Sequence, residues 1–221
     1  KYSELLGYGS YISFSSFITD QKPSEIKYNG GKVVFVKSVA NRQDFSSKKL
    51  DTIKIYNFNY VSNAYKLIRK IVFHTSYFSS TRLKLDSLSM MDNNGVTVEK
   101  YRFAYNVSTN LPAVNSKAQD YWGFYNGRTS NTSLVPETVV LYENGSGGSS
   151  NVTISSGNNR DCDSTYMQAN ILTRIYYPSG GFSEFEYQTN KYLNDQAQVK
   201  QAGGLRIKSI KSYESSGSVP V

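Results

Sequence analysis

Apolar and polar residues alternate with a period of two along most of the chain, as in the segment RLKLD at 82–86. This period is typical of β-strands with one face turned to solvent, whereas the 3.6-residue period of helices is weak throughout. The pattern predicts an all-β fold with helix in under about a tenth of the residues. Strands are predicted at 32–37, 53–56, 66–78, 82–88, 96–105, 138–142, 171–177, 181–187 and 205–210.

Three stretches lack a clear strand pattern. Residues 106–135 are irregular, and 143–166 include the Gly- and Ser-rich run 144–150, whose composition indicates a flexible surface loop. Residues 193–202 are polar and are predicted to form either one short helix or a loop.

A hairpin pattern recurs along the chain. IKYNGGKVVF at 26–35 aligns with IYYPSGGFSEFEY at 175–187, and residues 88–105 form a looser third copy. The first two share an apolar-x-Tyr strand, a Gly-Gly turn and a Phe four residues after the second glycine. No helix start with Lys-Ser/Thr follows these glycines or Gly203-Gly204, so all three pairs are predicted to be turn glycines, not phosphate loops. Because a lone hairpin cannot bury its apolar face, the hairpins are expected to stack into one antiparallel sheet.

Three segments carry a resemblance to a known family: LTRIYYPSGGFSEFEY at 172–187, DYWGFYNG at 120–127 and GGLRIK at 203–208. The first resembles the YD repeat of Rhs-type proteins. The other two resemble segments of the Rhs-like cell-surface proteins of Bacteroidetes-type bacteria, to which the whole chain is most similar. The resemblance covers residues 26–210. It departs from a regular array in its uneven spacing and in Gln188, which stands where the repeat has aspartate.

The resemblance implies an extended, curved sheet of stacked hairpins wound into a shell, which in toxin members encloses a separate C-terminal domain. It implies a non-enzymatic shell-wall or scaffold segment of a secreted or surface-exposed protein, with the remainder of its own longer chain as partner and glycans or other proteins as further candidates. The chain begins at Lys1 without Met, which also favours a piece of a longer protein. We therefore treat residues 1–221 as one β-rich segment, divisible into a basic hairpin array (1–110), an irregular insertion (111–170) and a YD-like hairpin with its following strand (171–221).

Composition narrows the possible functions. Aromatic residues make up 14% of the 221 residues, which argues against disorder, and no apolar run approaches the ~20 residues of a membrane helix. A single cysteine, Cys162, excludes an internal disulfide, and a single histidine, His74, excludes a His-cluster metal site. The net charge of +8 lies entirely in residues 1–110, but its Lys and Arg residues alternate with apolar ones. They are therefore assigned to the solvent faces of strands, and no nucleic-acid partner is predicted.

The strongest candidate binding site is the aromatic segment, in which we select Asp120, Tyr121, Trp122 and Tyr125. Two interpretations compete. The favoured one is a plug in which the rings fill an open end of the core, and the alternative is a carbohydrate-binding surface on which the rings stack against sugars.

Other candidate chemistry is weaker. Asp161 and Asp163 with Asp120 present carboxylates suited to Ca²⁺, but their spacing lacks a recognised calcium loop. Cys162 would need His74 as its base, and the carboxylates at 184 and 186 lie on one face of one strand, unlike a glycosidase pair. We therefore predict no catalytic residue, no metal and no cofactor.

Overall fold

The computed structural model describes residues 3–6, 10–13, 21–79, 81–143, 147–155 and 157–220, with the first two segments as backbone only. The described chain is almost entirely β, which confirms the predicted fold class, and its one helical element is a three-residue 3-10 turn at Tyr166–Gln168. No helix in the described ranges is long and apolar enough to cross a membrane. The strands are β1 (Ser3–Leu6), β2 (Ser10–Ser13), β3 (Glu25–Tyr28), β4 (Gly31–Asn41), β5 (Lys48–Asn59), β6 (Ala64–Tyr77), β7 (Leu83–Met91), β8 (Thr97–Tyr105), β9 (Thr138–Glu143), β10 (Ser149–Ile154), β11 (Leu172–Tyr176), β12 (Phe182–Leu193) and β13 (Val199–Tyr213).

Nine strands form one antiparallel sheet in the order β13-β12-β11-β8-β7-β6-β5-β4-β3. Neighbours in the chain are neighbours in the sheet, except that residues 106–171 leave the sheet between β8 and β11. The pairs β1–β2 and β9–β10 form separate two-stranded sheets. Among the described strands, β3 and β13 are the edges of the large sheet.

The strand register gives the sheet two different faces. Phe35, Ile53, Ile71 and Met90 lie opposite one another on four successive strands and define the apolar face. Further members of the apolar face are Val33, Ile55, Phe73, Leu88, Tyr101, Phe103, Ile175, Phe185 and Ile210. The other side, the basic face, carries Lys32, Lys54, Lys70, Lys84, Lys100, Arg102, Arg174 and Lys211 against four acidic residues, Glu25, Asp86, Glu184 and Glu186. The predicted alternation of Lys and Arg with apolar residues holds for these cations, whereas Arg69 lies opposite Ile55 on the apolar face.

No second layer buries the apolar face among the described residues. Its large side chains, such as Ile71 and Phe103, all keep part of their surface exposed. The buried hydrophobic residues of the described chain are few: Ala118, Met167, Ala169 and Phe182. The chain exposes 15355 Å², against about 10,000 Å² for a compact monomer of this mass.

Both of the best-matched repeat segments fold as hairpins, β3–β4 and β11–β12. In each turn the first glycine of the pair has a left-handed backbone, with φ of 84° at Gly30 and 97° at Gly180, which favours glycine. The turn-glycine prediction is confirmed at these two pairs.

The second glycine of each pair has a different role. A Cβ atom at Gly31 would lie 2.5 Å from the carbonyl oxygen of Tyr56, and one at Gly181 would lie 2.6 Å from that of Tyr213. Each glycine therefore lets its strand approach a tyrosine of the next strand.

The structure corrects three local predictions. Gly203-Gly204 is not a turn but lies within β13, where the register with β12 shifts. Of the two alternatives for residues 193–202, the helix is wrong and the loop is right only for 194–198, since β12 ends at Leu193 and β13 begins at Val199. Part of the predicted irregular zone 143–166 is the regular strand β10, whereas residues 144–146 of its flexible run lie outside the described residues.

Candidate functional site

The aromatic segment is a tight loop built around the carboxylate of Asp120. Its Oδ1 accepts hydrogen bonds from the backbone N–H groups of Trp122 and Phe124, each at 2.9 Å. The backbone N–H of Asp120 also donates to the carbonyl of Phe124 at 2.8 Å, and Gln119 pairs with Tyr125. The Asp120 side chain is completely buried (0% exposed), so this carboxylate, not an aromatic ring, forms the centre of the loop.

The rings of Tyr121 and Trp122 lie on the surface. Tyr121 is 58% exposed and Trp122 is 51% exposed. The favoured prediction that Trp122 plugs the core is therefore wrong. Asp120 occupies the interior because its oxygen satisfies two backbone donors, and its loop directs the neighbouring rings outward.

Trp122 lies across the bulge in β13. A Cβ atom at Gly203 would approach the Trp122 Cβ atom to 2.6 Å, so only glycine leaves room for the indole there. A Cβ atom at Gly204 would lie 3.4 Å from the Phe124 ring. The centres of the Tyr192 and Trp122 rings are 6.5 Å apart. One face of the indole thus packs on the sheet edge and the rest is open to a ligand.

Tyr125, the fourth predicted site residue, turns inward. Its ring packs edge-on against Tyr166 at 5.2 Å, and burial raises the pKa of its hydroxyl. Gly127 lies directly against the same Tyr166 ring, where a Cβ atom would come within 2.3 Å of the ring. The structure therefore separates the four predicted residues into two surface rings and two residues that hold the loop.

Asparagine side chains connect this loop to residues 158–161. Asn126 is 1% exposed, and its amide donates to the carbonyls of Asn159 and Asp161, each at 3.1 Å. Asn131 donates to the Asn159 carbonyl at 2.7 Å and accepts from the Asn159 N–H at 2.9 Å. The sequence did not predict that these side chains connect the two segments, although its richness in asparagine was visible.

Arg160 is a further residue of the site that the sequence did not predict. Its guanidinium donates to the carbonyls of Asp120 (2.5 Å), Leu134 (2.9 Å) and Gln119 (3.3 Å). It also lies 5.1 Å from the centre of the Tyr121 ring, a cation–π distance. A cleft of about 340 Å³ opens beside this pair, lined by Tyr121, Pro136, Glu137, Gly157, Asn158, Asn159, Arg160 and Asp161.

Cys162 lies next to the carboxylate of Asp120. The second oxygen of this carboxylate makes no hydrogen bond of regular geometry within the described chain. Burial, followed by the negative charge of Asp120, raises the pKa of the Cys162 thiol to about 12. The thiol is therefore protonated at neutral pH and is a poor nucleophile. His74, the base considered for it, instead shares a hydrogen bond with Ser89 at 3.0 Å on the sheet.

The remaining candidate carboxylates have protein partners. Asp161 accepts from the Asn159 amide, and Asp163 from the backbone N–H of Thr165. Glu184 pairs with Arg174 at 3.0 Å and Glu186 is bonded to Lys211. Within the described ranges no three His, Cys, Asp or Glu residues cluster so as to hold a metal ion.

Surface rings, amide groups and charged groups surround an open cleft. These groups can bind a ligand by stacking, hydrogen bonds and charge. Compared with known proteins, the chain matches no family model, no curated protein and no solved structure.

Proposed function

We propose that this chain is a non-enzymatic structural segment, a shell-wall or scaffold unit of a larger secreted or surface-exposed protein of the Rhs-like type. The observation that carries the proposal is the two-faced sheet of nine strands. One face is basic and suited to solvent, whereas the other is apolar and has no second layer among the described residues. A sheet with one apolar face is stable when that face packs against another layer.

The solvent-exposed area of the chain shows how much surface a partner layer could cover. The chain exposes 15355 Å², roughly 5,000 Å² more than a compact monomer of equal mass. We propose that the remainder of the same longer chain covers the apolar face, and that the assembled protein is displayed outside the cell. Antibody labelling of intact cells that produce the full-length protein tests this location.

A matched pair of substitutions tests the apolar face. Ile71 lies at its centre between Ile53 and Met90, and the next residue, Val72, lies on the basic face between Thr52 and Ser89. We expect the purified chain to bind a hydrophobic dye such as ANS and to self-associate in light scattering. Ile71→Lys should reduce both signals, whereas Val72→Lys should leave them near the wild-type level.

Two results would contradict the structural proposal. One is a wild-type chain that is strictly monomeric and does not bind ANS. The other is an equal response of the two lysine variants, since the signals would then not report on one face.

A second candidate function is carbohydrate binding at the aromatic segment. It is favoured by the exposure of Tyr121 and Trp122 beside a polar cleft, because an exposed ring can stack on a sugar while amides and charges bind its hydroxyls. Trp122 is the only tryptophan, so its fluorescence reports on this site alone.

Titration of the chain with oligosaccharides, monitored by Trp122 emission, tests this candidate. Tyr121→Ala should abolish the response. Tyr142→Ala is the matched control, because Tyr142 is equally exposed (59%) but lies on β9. An emission that no oligosaccharide changes, or a response that survives Tyr121→Ala, would refute carbohydrate binding here.

A further inference from the structure

Four cations that form no ion pair with the described residues cluster at the centre of the basic face. Lys54 lies directly opposite Lys70 on the neighbouring strand. On β8, Lys100 lies opposite Ser89 and Arg102 lies opposite Ser87. We refer to Lys54, Lys70, Lys100 and Arg102 as the basic patch.

The described acidic residues of the basic face form ion pairs with cations outside the basic patch. Glu25 binds Lys32 at 2.8 Å, Asp86 binds Lys84 at 3.0 Å, and Glu184 and Glu186 bind cations of β11 and β13. No carboxylate in the part of the chain that the structure describes forms an ion pair with the basic patch. The patch therefore keeps its charge available for a ligand.

The cross-strand pair of Lys54 and Lys70 opposes folding. Like charges placed directly opposite each other on antiparallel strands are destabilising. Both lysines are also half-buried, which weakens their screening by solvent. A feature that costs stability and has no compensating contact in the described fold indicates a ligand that supplies the missing negative charge.

We propose that the basic patch binds a linear acidic polysaccharide laid across β5 to β8. The strand spacing of about 4.8 Å and the spacing of about 6.7 Å between alternate residues of one strand set the cations at regular short intervals. A chain with carboxylates or sulfates along its length can contact several of them at once.

The side chains between the cations favour a polysaccharide over a nucleic acid. They are the hydroxyls of Thr52, Ser87 and Ser89, with His74 and Val72. Single-stranded nucleic acids are bound by cations interleaved with aromatic rings on which bases stack. The rows that join these cations also carry Met91 and one aromatic ring, that of Tyr176. This ring already packs against Arg102 at 5.0 Å and Phe182 at 5.5 Å, so it is not free to stack on a base. The hydroxyls of these rows suit the hydroxyl-rich surface of a sugar chain.

The test measures binding of the whole chain to polygalacturonate (carboxylate) and to dextran sulfate, with neutral dextran as the control. We expect binding to one or both acidic polymers, lost as salt rises because the contacts are ionic. The double variant Lys70→Gln/Lys100→Gln should bind on the order of tenfold more weakly. Lys191→Gln/Lys200→Gln removes two exposed lysines at the far end of β12 and β13 and should bind like the wild type.

A second readout excludes simple misfolding. Because Lys70 repels Lys54, Lys70→Gln should raise the urea midpoint of unfolding while it weakens binding.

Three outcomes would overturn the proposal. These are wild-type affinity in the Lys70/Lys100 variant, equal binding of neutral dextran, and tighter binding of a single-stranded oligonucleotide or polyglutamate than of either acidic polysaccharide.

Discussion

Replacement of the buried carboxylate Asp120 should destabilise the aromatic segment more than replacement of its exposed tryptophan. Asp120→Ala removes the acceptor of two backbone N–H groups, those of Trp122 and Phe124. An unsatisfied buried donor costs about 1–3 kcal/mol. Because the second Asp120 oxygen makes no regular hydrogen bond, its removal offsets part of that cost. We expect a net loss of about 2–4 kcal/mol in the free energy of unfolding.

Two comparison variants make the prediction specific. Asp120→Asn retains an oxygen for both backbone donors and should cost under about 1 kcal/mol. Trp122→Ala should cost about 1–2 kcal/mol, below the 3–5 kcal/mol typical of a buried Trp, because half of its surface is already in water.

Urea unfolding followed by far-ultraviolet circular dichroism gives all three values without relying on the tryptophan signal. A loss of 3–5 kcal/mol in Trp122→Ala together with a loss below about 1 kcal/mol in Asp120→Ala would refute this reasoning. It would mean that the indole, not the carboxylate, holds the loop.

Three further predictions concern single residues. The pKa of the Cys162 thiol is raised to about 12 in the folded chain, so between pH 9 and 12 this thiol ionises only in the unfolded chain. The free energy of unfolding of the wild type should therefore fall relative to Cys162→Ala by about 1 kcal/mol per pH unit in this range. Urea unfolding at several pH values measures this difference. The pKa of Asp44 is lowered to about 2, chiefly by its hydrogen bonds to Arg42, so its stabilisation is present above pH 4 and lost as the pH falls to 2. Asp44→Asn should therefore be less stable than wild type by about 1–2 kcal/mol at pH 7, a gap that closes near pH 2 in acid unfolding. Gly181→Ala places a Cβ atom 2.6 Å from the Tyr213 carbonyl and should lower the melting temperature, at a cost of about 1–3 kcal/mol, whereas an unchanged melting temperature would contradict the close approach of β12 and β13.

Strand positions were predictable because each strand of this sheet has chemically different faces. In β6, Ile71 and Phe73 lie on the apolar face, while Lys70 and Val72 lie on the basic face. Residues of the two faces therefore alternate along the sequence. β10 was missed because only Val152 and Ile154 of its sequence, SSNVTI, are apolar and none of its residues is buried. Two apolar residues are too short an alternation to identify a strand.

The candidate site was predictable only in part. The cluster of rings at 120–127 is local and visible, but the bulge at Gly203 that supports Trp122 is about eighty residues away. The same limit applies to Arg160, which lies forty residues from Asp120 and holds its carbonyl. Long-range pairings of this kind depend on register, which single-residue bulges change.

The basic patch shows why register matters. β7 carries one extra residue at the register shift between His74 and Thr75, and this places Ser87 opposite His74. Without that bulge, every later side chain of β7 would point to the other face. The row of cations therefore follows from the pairing of strands and not from the order of residues alone.

Small-angle X-ray scattering of the monomer peak from size-exclusion chromatography tests whether the chain leaves the apolar face of its sheet uncovered. A compact chain of 221 residues has a radius of gyration of about 17 Å. Nine strands spaced about 4.8 Å apart make a sheet about 38 Å wide, and its apolar face has no second layer in the described chain. We therefore predict a radius of gyration above about 20 Å, whereas a value near 17 Å would contradict the account by showing that the chain covers the apolar face itself.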